Sequence, residues 1–235
     1  MSLFVESPNR ALERKYFKHI GREKNLVFKG GFKRLADGTT VYRDYSPYKN
    51  NGVITGATWQ KLSSGLDVLN FDGTDDYVDL GKPASMDFTG AFTLMCWVNC
   101  TAASQTAVIS KEPTSTGGYF VRRWSDDKFY FAFFNDANTQ SGQPASAVTN
   151  LGQWYFVVGT YDGTNNKLYL NAGTPVSVAA VVTPAPGTKN WYIGTREPSD
   201  TDFNGKIALL RVFSRALSAG DINGIFQTER HLFQV

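Results

Sequence analysis

Cleavage of a glycosidic bond needs two carboxyl groups about 5–10 Å apart, one to protonate the leaving oxygen and one to attack or to activate water. The six glutamates are Glu6, Glu13, Glu23, Glu112, Glu197 and Glu229, and none falls on a stretch that reads as a central strand. No Glu-x-Asp-x-x-Glu arrangement occurs. His19 and His231 lie near the two ends and neither accompanies a Gly-x-Ser-x-Gly elbow, so a hydroxyl or thiol nucleophile lacks its base. Two cysteines and two histidines without ligand spacing exclude a zinc set. Neither a P-loop nor a dinucleotide glycine pattern is present. These residues describe a protein that is not an enzyme.

Binding chemistry is better represented. Sugar rings need an apolar face to stack on and polar groups around it. Tyr119, Arg122, Arg123, Trp124, Asp127 and Tyr130 supply both on two stretches that read as neighbouring strands. Of these, Tyr119, Arg122, Trp124, Asp127 and Tyr130 form the candidate ligand site. The competing reading is that a loop covers Trp124 and Tyr130.

The elements that position these groups are strands. With 42% hydrophobic and 14% aromatic residues, the composition is globular and not that of a disordered chain. Six Asn-Gly or Asp-Gly pairs (37–38, 51–52, 72–73, 162–163, 204–205, 223–224) punctuate short apolar runs, the pattern of an antiparallel sandwich. The runs are 25–28, 92–98, 107–109, 119–124, 129–134, 154–161, 167–170, 176–182, 191–193 and 206–213. Asp72-Gly73 between Leu69-Asn-Phe71 and Tyr77-Val-Asp-Leu80 predicts a hairpin, since both central residues of such a turn need positive φ. In 92–98 and 129–134 both faces are apolar, which predicts strands covered on both sides. A short helix is expected after Arg215-Ala-Leu217. Cys96 and Cys100 are about 13 Å apart along a strand at ~3.3 Å per residue, too far for a disulfide, and read as small buried hydrophobes.

Residues 1–34 hold nine Lys and Arg against three Glu, while the other 201 residues hold 15 basic and 18 acidic groups. A basic segment on a slightly acidic body suits an acidic protein or anionic surface; nucleic acid is not the expected partner. Ser7-Pro8-Asn9 reads as a helix start and Gly21 as its end. Leu12, Lys15, Tyr16 and Phe17 are expected to anchor a partner. The division is thus 1–24, a basic arm with a short amphipathic helix, and 25–235, the sandwich. The first residues lack the features of a secretory signal, and no apolar run reaches the ~20 residues of a membrane span.

Several stretches carry a family resemblance. "FDGTDDYVDLG" at 71–81, Gly152-Gln-Trp-Tyr-Phe-Val-Val-Gly-Thr-Tyr-Asp-Gly163, Lys167-Leu-Tyr-Leu-Asn-Ala-Gly173 and Phe203-Asn-Gly-Lys-Ile-Ala-Leu-Leu-Arg-Val-Phe-Ser-Arg-Ala-Leu-Ser218 occur in order. Asp44, Ser46, Asn51 and Gly52 precede them. Together these resemble laminin G-like domains of the concanavalin A-like lectin/glucanase superfamily, over about residues 25–228. The resemblance implies an all-β fold, a two-sheet antiparallel jelly-roll sandwich, to which the residues themselves add a short N-terminal helical arm and a short C-terminal helix. It implies no cofactor other than one candidate calcium ion, with Asp44 and Asn51 in the first-loop positions. The family's last-strand Gly-x-Ile-Asp is here Gly205-Lys206-Ile207-Ala208, which lacks the carboxylate.

The expected function is a non-catalytic structural or adhesion module. Its leading form is a virion accessory protein, a capsid decoration or tail component. Such a protein would be made in a cytoplasm and attached through its arm to a protein partner on the assembled particle. The alternative is a carbohydrate-binding, lectin-like domain of a cell-surface or secreted protein; a glycoside hydrolase is the remote third.

Overall fold

The computed structural model describes residues 23–31, 40–103, 105–111, 116–198 and 202–235. The predicted helix over residues 7–21, with Leu12, Lys15, Tyr16 and Phe17, lies outside the described residues. So does the 37–38 turn.

The strands are β1 (Leu26–Gly30), β2 (Val41–Tyr42), β3 (Gly52–Thr55), β4 (Thr58–Lys61), β5 (Asp67–Asp72), β6 (Tyr77–Gly81), β7 (Phe92–Cys100) and β8 (Thr106–Lys111). They continue with β9 (Gly118–Arg123), β10 (Phe129–Phe134), β11 (Trp154–Tyr161), β12 (Asn165–Leu170), β13 (Val176–Ala179), β14 (Trp191–Ile193) and β15 (Asn204–Phe213). A helix, α1 (Ala219–Glu229), follows. They form two antiparallel sheets. One has the order β13-β12-β11-β7-β15-β5-β4, with β1 also on β15; the other is β10-β9-β8-β14-β6-β3-β2.

The predicted Asp72-Gly73 hairpin is corrected by this topology. β5 pairs with β15 and β4, and β6 pairs with β14 and β3, so the turn crosses from one layer to the other. The positive φ of Gly73 (85°) is as expected. What prevents pairing is Asp76, buried, whose Oδ2 accepts the Asp72 N–H at 2.7 Å. That bond ends the strand and folds the chain over the edge of the sandwich. Asp162-Gly163, by contrast, joins the paired strands β11 and β12.

Alternation fills the space between the sheets. Phe92, Leu94, Cys96, Val98 and Cys100 of β7 meet Tyr119 and Val121 of β9 and Phe129, Phe131 and Phe133 of β10 in one buried cluster. Both cysteines are free and buried, as expected; burial pushes the Cys100 thiol up to about 12. The opposite residues of β7, Met95 and Trp97, belong to a second cluster outside the sandwich. There Trp97, Phe156 and Ala208 are covered by Ile222, Phe226, Leu232 and Phe233 of α1 and the turn after it. The two-sided apolarity of 92–98, which predicts a strand covered on both sides, thus reflects a helix cover. Ser218 caps α1 through the Asp221 N–H at 3.1 Å and Asp221 bonds back, a capping box.

Candidate functional site: the outer aromatic face of the seven-stranded sheet

β9 and β10 are antiparallel, with Arg122 opposite Tyr130 and Tyr119 opposite Phe133. Side chains alternate across a strand, so Phe120, Arg122 and Trp124 point away from the core, as do Tyr130, Ala132 and Phe134. The rings of Trp124 and Tyr130 lie 5.2 Å apart, both half-buried. The Arg122 guanidinium sits over the Phe120 ring at 4.4 Å. Tyr130 Oη donates to Asp126 Oδ2 at 2.6 Å, and that bond pushes the phenol up to about 12 and holds the Asp126 carboxyl down.

Tyr119 does not belong to this surface. It is fully buried between the sheets, stacked on Trp191 with centroids 5.3 Å apart. Its hydroxyl donates to the Phe88 carbonyl at 2.5 Å and accepts the Phe88 N–H at 2.7 Å. The two-residue period of β9 sends Tyr119 and Val121 inward; grouping the cluster by sequence proximity ignored that parity. Asp127 stands at the β9–β10 tip in left-handed conformation (φ 62°) and pairs with the buried Arg123. It holds the tip together and lies beside the platform.

The free edge of β10 is sealed by residues 140–146. Ser141 and Ser146 accept the Phe133 and Phe129 N–H groups on their hydroxyls at 3.1 and 2.9 Å, and their own N–H groups bond back to the same residues' carbonyls at 2.8 Å. This serine pairing blunts an otherwise open edge. It leads to Thr149, whose N–H and hydroxyl both bond the Asp127 carbonyl, at 2.8 and 2.7 Å. Thr149 thereby ties the exposed Val148 and Leu151 to the same end of the sandwich. Sequence reading missed Asp126, whose carboxylate accepts the Tyr130 hydroxyl; Phe120 shares the outward face of β9 but is buried.

The first loop is a closed hydrogen-bonded knot. Asp44, fully buried, accepts the Lys29 and Ser46 N–H groups on Oδ1 at 2.9 and 2.8 Å, and the Ser46 hydroxyl and Asn50 N–H on Oδ2 at 2.7 and 2.8 Å. Asn51 Oδ1 accepts the Asp44 N–H at 2.9 Å. A carboxylate has about four lone-pair sites, and all four face donors. A calcium ion wants six to eight oxygens, so these residues as arranged do not fit one. Asp72, Asp75 and Asp76 bring their oxygens within 4.8 Å of one another. Burial, together with neighbouring Asp72, Asp75 and Asp202, raises the Asp76 pKa against the bond from the Asp72 N–H.

A family model described as the concanavalin A-like lectin/glucanases superfamily matches residues 72–223. The chain belongs to that superfamily. Among solved structures it is similar to the binding domain of Paraclostridial Mosquitocidal Protein 1, at 12% identity and TM-score 0.70, covering 86% of this chain and 52% of that one. It is similar to the receptor binding domain of botulinum neurotoxin D, at 14% identity and TM-score 0.68, covering 87% and 53%. It is also similar to the botulinum neurotoxin serotype D ligand binding domain in complex with N-acetylneuraminic acid, at 16% identity and TM-score 0.67, covering 86% and 50%. This superfamily member thus spans about half the length of those chains, and the likeness is one of fold. No curated protein matches it.

Proposed function

We propose that this chain is a non-catalytic binding module that adheres to a glycan through the Trp124–Tyr130 platform. The observation that carries the reading is the ring pair itself: two half-buried aromatics 5.2 Å apart on an outer sheet face, with the exposed Asp126 beside Tyr130. Such an arrangement offers stacking surface and hydrogen-bond partners together. Similar domains whose names state receptor or ligand binding support it. Among the described glutamates, Glu229 and Glu23 are spent on buried ion pairs with Arg211, and Glu197 pairs with Lys189 at 2.7 Å, so these three are not placed as a carboxylate pair for hydrolysis. The test is a glycan array with the full chain and with Trp124→Ala. Competable binding by the wild type and at least about tenfold weaker binding by the variant, at an unchanged unfolding midpoint, is the expected result. Wild-type protein that binds no glycan sinks the proposal.

A virion accessory role is the second reading, and what supports it is the charge of the N-terminal segment: Arg10, Arg14, Lys15, Lys18 and Arg22 against Glu6 and Glu13 over residues 1–22. In that setting the segment anchors the module to an acidic partner on a particle and the platform faces outward. Deleting residues 1–22 is expected to leave folding intact and abolish assembly with that partner. Assembly that survives the deletion removes this reading and leaves the glycan reading untouched.

A further inference from the structure

Arg211 is gripped by two carboxylates that come from opposite ends of the chain. Its Nη2 pairs with Glu229 Oε1 on α1, and its Nε lies 3.2 Å from Glu23 Oε1. Only 5% of the residue is exposed. Glu23 gives its other oxygen to Lys29 Nζ at 3.2 Å, and Glu229 gives its other oxygen to the indole N–H of Trp97 at 2.8 Å. The series Lys29, Glu23, Arg211, Glu229 alternates basic and acidic groups, the arrangement under which charges are tolerated out of water.

The backbone is bent to build this arrangement. Leu209 has φ 48°, and the register of β15 on β7 shifts between Ala208 and Arg211. The bulge turns both Ala208 and Leu209 to the helix-covered side and sets Arg211 beneath Glu229. Bulges re-aim side chains in this way, and a left-handed residue other than glycine is strained unless its surroundings hold it.

We propose that Arg211 is a two-ended latch, in which the hold on α1 depends on Glu23 remaining in place. Loss of Glu23 from its place beside Arg211 then loosens the helix over the eight-stranded sheet. The physical reason is charge balance. Without Glu23, Arg211 keeps only Glu229 of its two carboxylate neighbours, and a buried guanidinium that has lost a partner is strongly unfavourable. Water relieves it by entering beneath the helix that carries Glu229.

Hydrogen exchange on the full chain tests the latch without any partner. Glu23→Gln is expected to speed exchange of the α1 amides, Asp221 to Glu229, at least about tenfold while β11 and β12 keep their protection. Unchanged or slower helix exchange overturns the latch. In an Arg211→Met background, Glu23→Gln is expected to have no further effect on the helix; a persisting effect means the coupling runs elsewhere and overturns the assignment to Arg211. If Glu23→Gln does not fold, Glu23→Asp, which keeps the charge but withdraws it by one methylene, is read the same way. Failure of the deletion of residues 1–22 to alter assembly bears on the arm alone and leaves this result standing.

Discussion

The ring of Phe233 lies almost parallel to the indole of Trp97, centroids 4.2 Å apart and planes 16° apart. Phe226 stacks on the same indole at 5.6 Å, and Trp154 meets Phe233 at 4.7 Å. The C-terminal helix and turn are thus the roof of a second apolar cluster on the outside of the eight-stranded sheet. Trp97 is fully buried by it, and its N–H is satisfied by Glu229, as a buried indole requires.

Phe233→Ala removes the central ring of that roof. A buried Phe→Ala change costs about 3–5 kcal/mol, less where the site can collapse. Phe233 packs outside the space between the sheets, where the site can partly collapse, so a loss of about 2–3 kcal/mol is expected on the same scale, read from the urea midpoint at constant slope. A variant within 0.5 kcal/mol of wild type would mean that the roof contributes nothing to folding.

Stability is expected to rise between pH 7 and about 8.5 through Lys29. Burial first, and Arg211 next, push its pKa down from 10.5 to about 7, against the pull of Glu23. In that window the unfolded chain binds the proton more fully than the folded one, so unfolding becomes less favourable as pH rises. The contribution is lost again as pH falls through 7. Above pH ~9 the sign reverses, because burial raises the folded-state pKa of Cys96 and of Cys100 above the ordinary 9.0 and only the unfolded chain releases those protons. Urea titrations at pH 7 and 8.5 should show wild type gaining about 1 kcal/mol and Lys29→Met staying flat. An equal gain in both would remove Lys29 as the cause.

Much of this fold is readable from short apolar runs between turn signals. The run 154–161 is strand β11 and 129–134 is β10, residue for residue, because a short stretch dense in aromatic and β-branched residues states the element, although 129–134, apolar on both faces, does not state which face turns inward. The turn dipeptides say less. Asn204-Gly205 lies within β15 and Asn223-Gly224 within α1, since a ladder or a capped helix overrides a local turn preference. Asp72-Gly73 marks a turn without specifying whether its strands pair or change layer. The Trp124–Tyr130 neighbourhood follows from a short β9–β10 connection. The Arg211 network does not, because Glu23, Arg211 and Glu229 meet only through tertiary packing of three distant segments.

Two glycines separate strain from collision. Gly163 has φ 99° and open space where a Cβ would stand, whereas Gly205 has φ 140° and a Cβ there would fall on the backbone carbonyl oxygen of Asn99. Gly163→Ala is expected to cost about 1–2 kcal/mol from conformation alone. Gly205→Ala adds a clash between paired backbones, at Gly205 opposite Cys100, and is expected to cost about 3 kcal/mol or more. Thermal unfolding of the two variants side by side checks the difference. Equal losses would mean that β15 shifts freely against β7.

Calcium is not expected to bind at the first loop. Asp44 is committed to four donors from Lys29, Ser46 and Asn50. The last-strand place that would supply a second carboxylate is Ala208, fully buried on the helix-covered side of its sheet. An ion could take Asp44 only by turning those donors away, and a buried N–H left without an acceptor costs about 1–3 kcal/mol each. Millimolar calcium, or its removal with EDTA, is therefore expected to leave the unfolding midpoint within about 1 °C, because only a ligand that binds the folded state raises it. Asp44→Asn should lower stability by about 2–4 kcal/mol, since one amide nitrogen then faces the N–H and O–H groups that the carboxylate accepted. A calcium-dependent rise in midpoint that disappears in Asp44→Asn would show that the loop reopens around the ion and that the hydrogen-bonded knot is only its metal-free form.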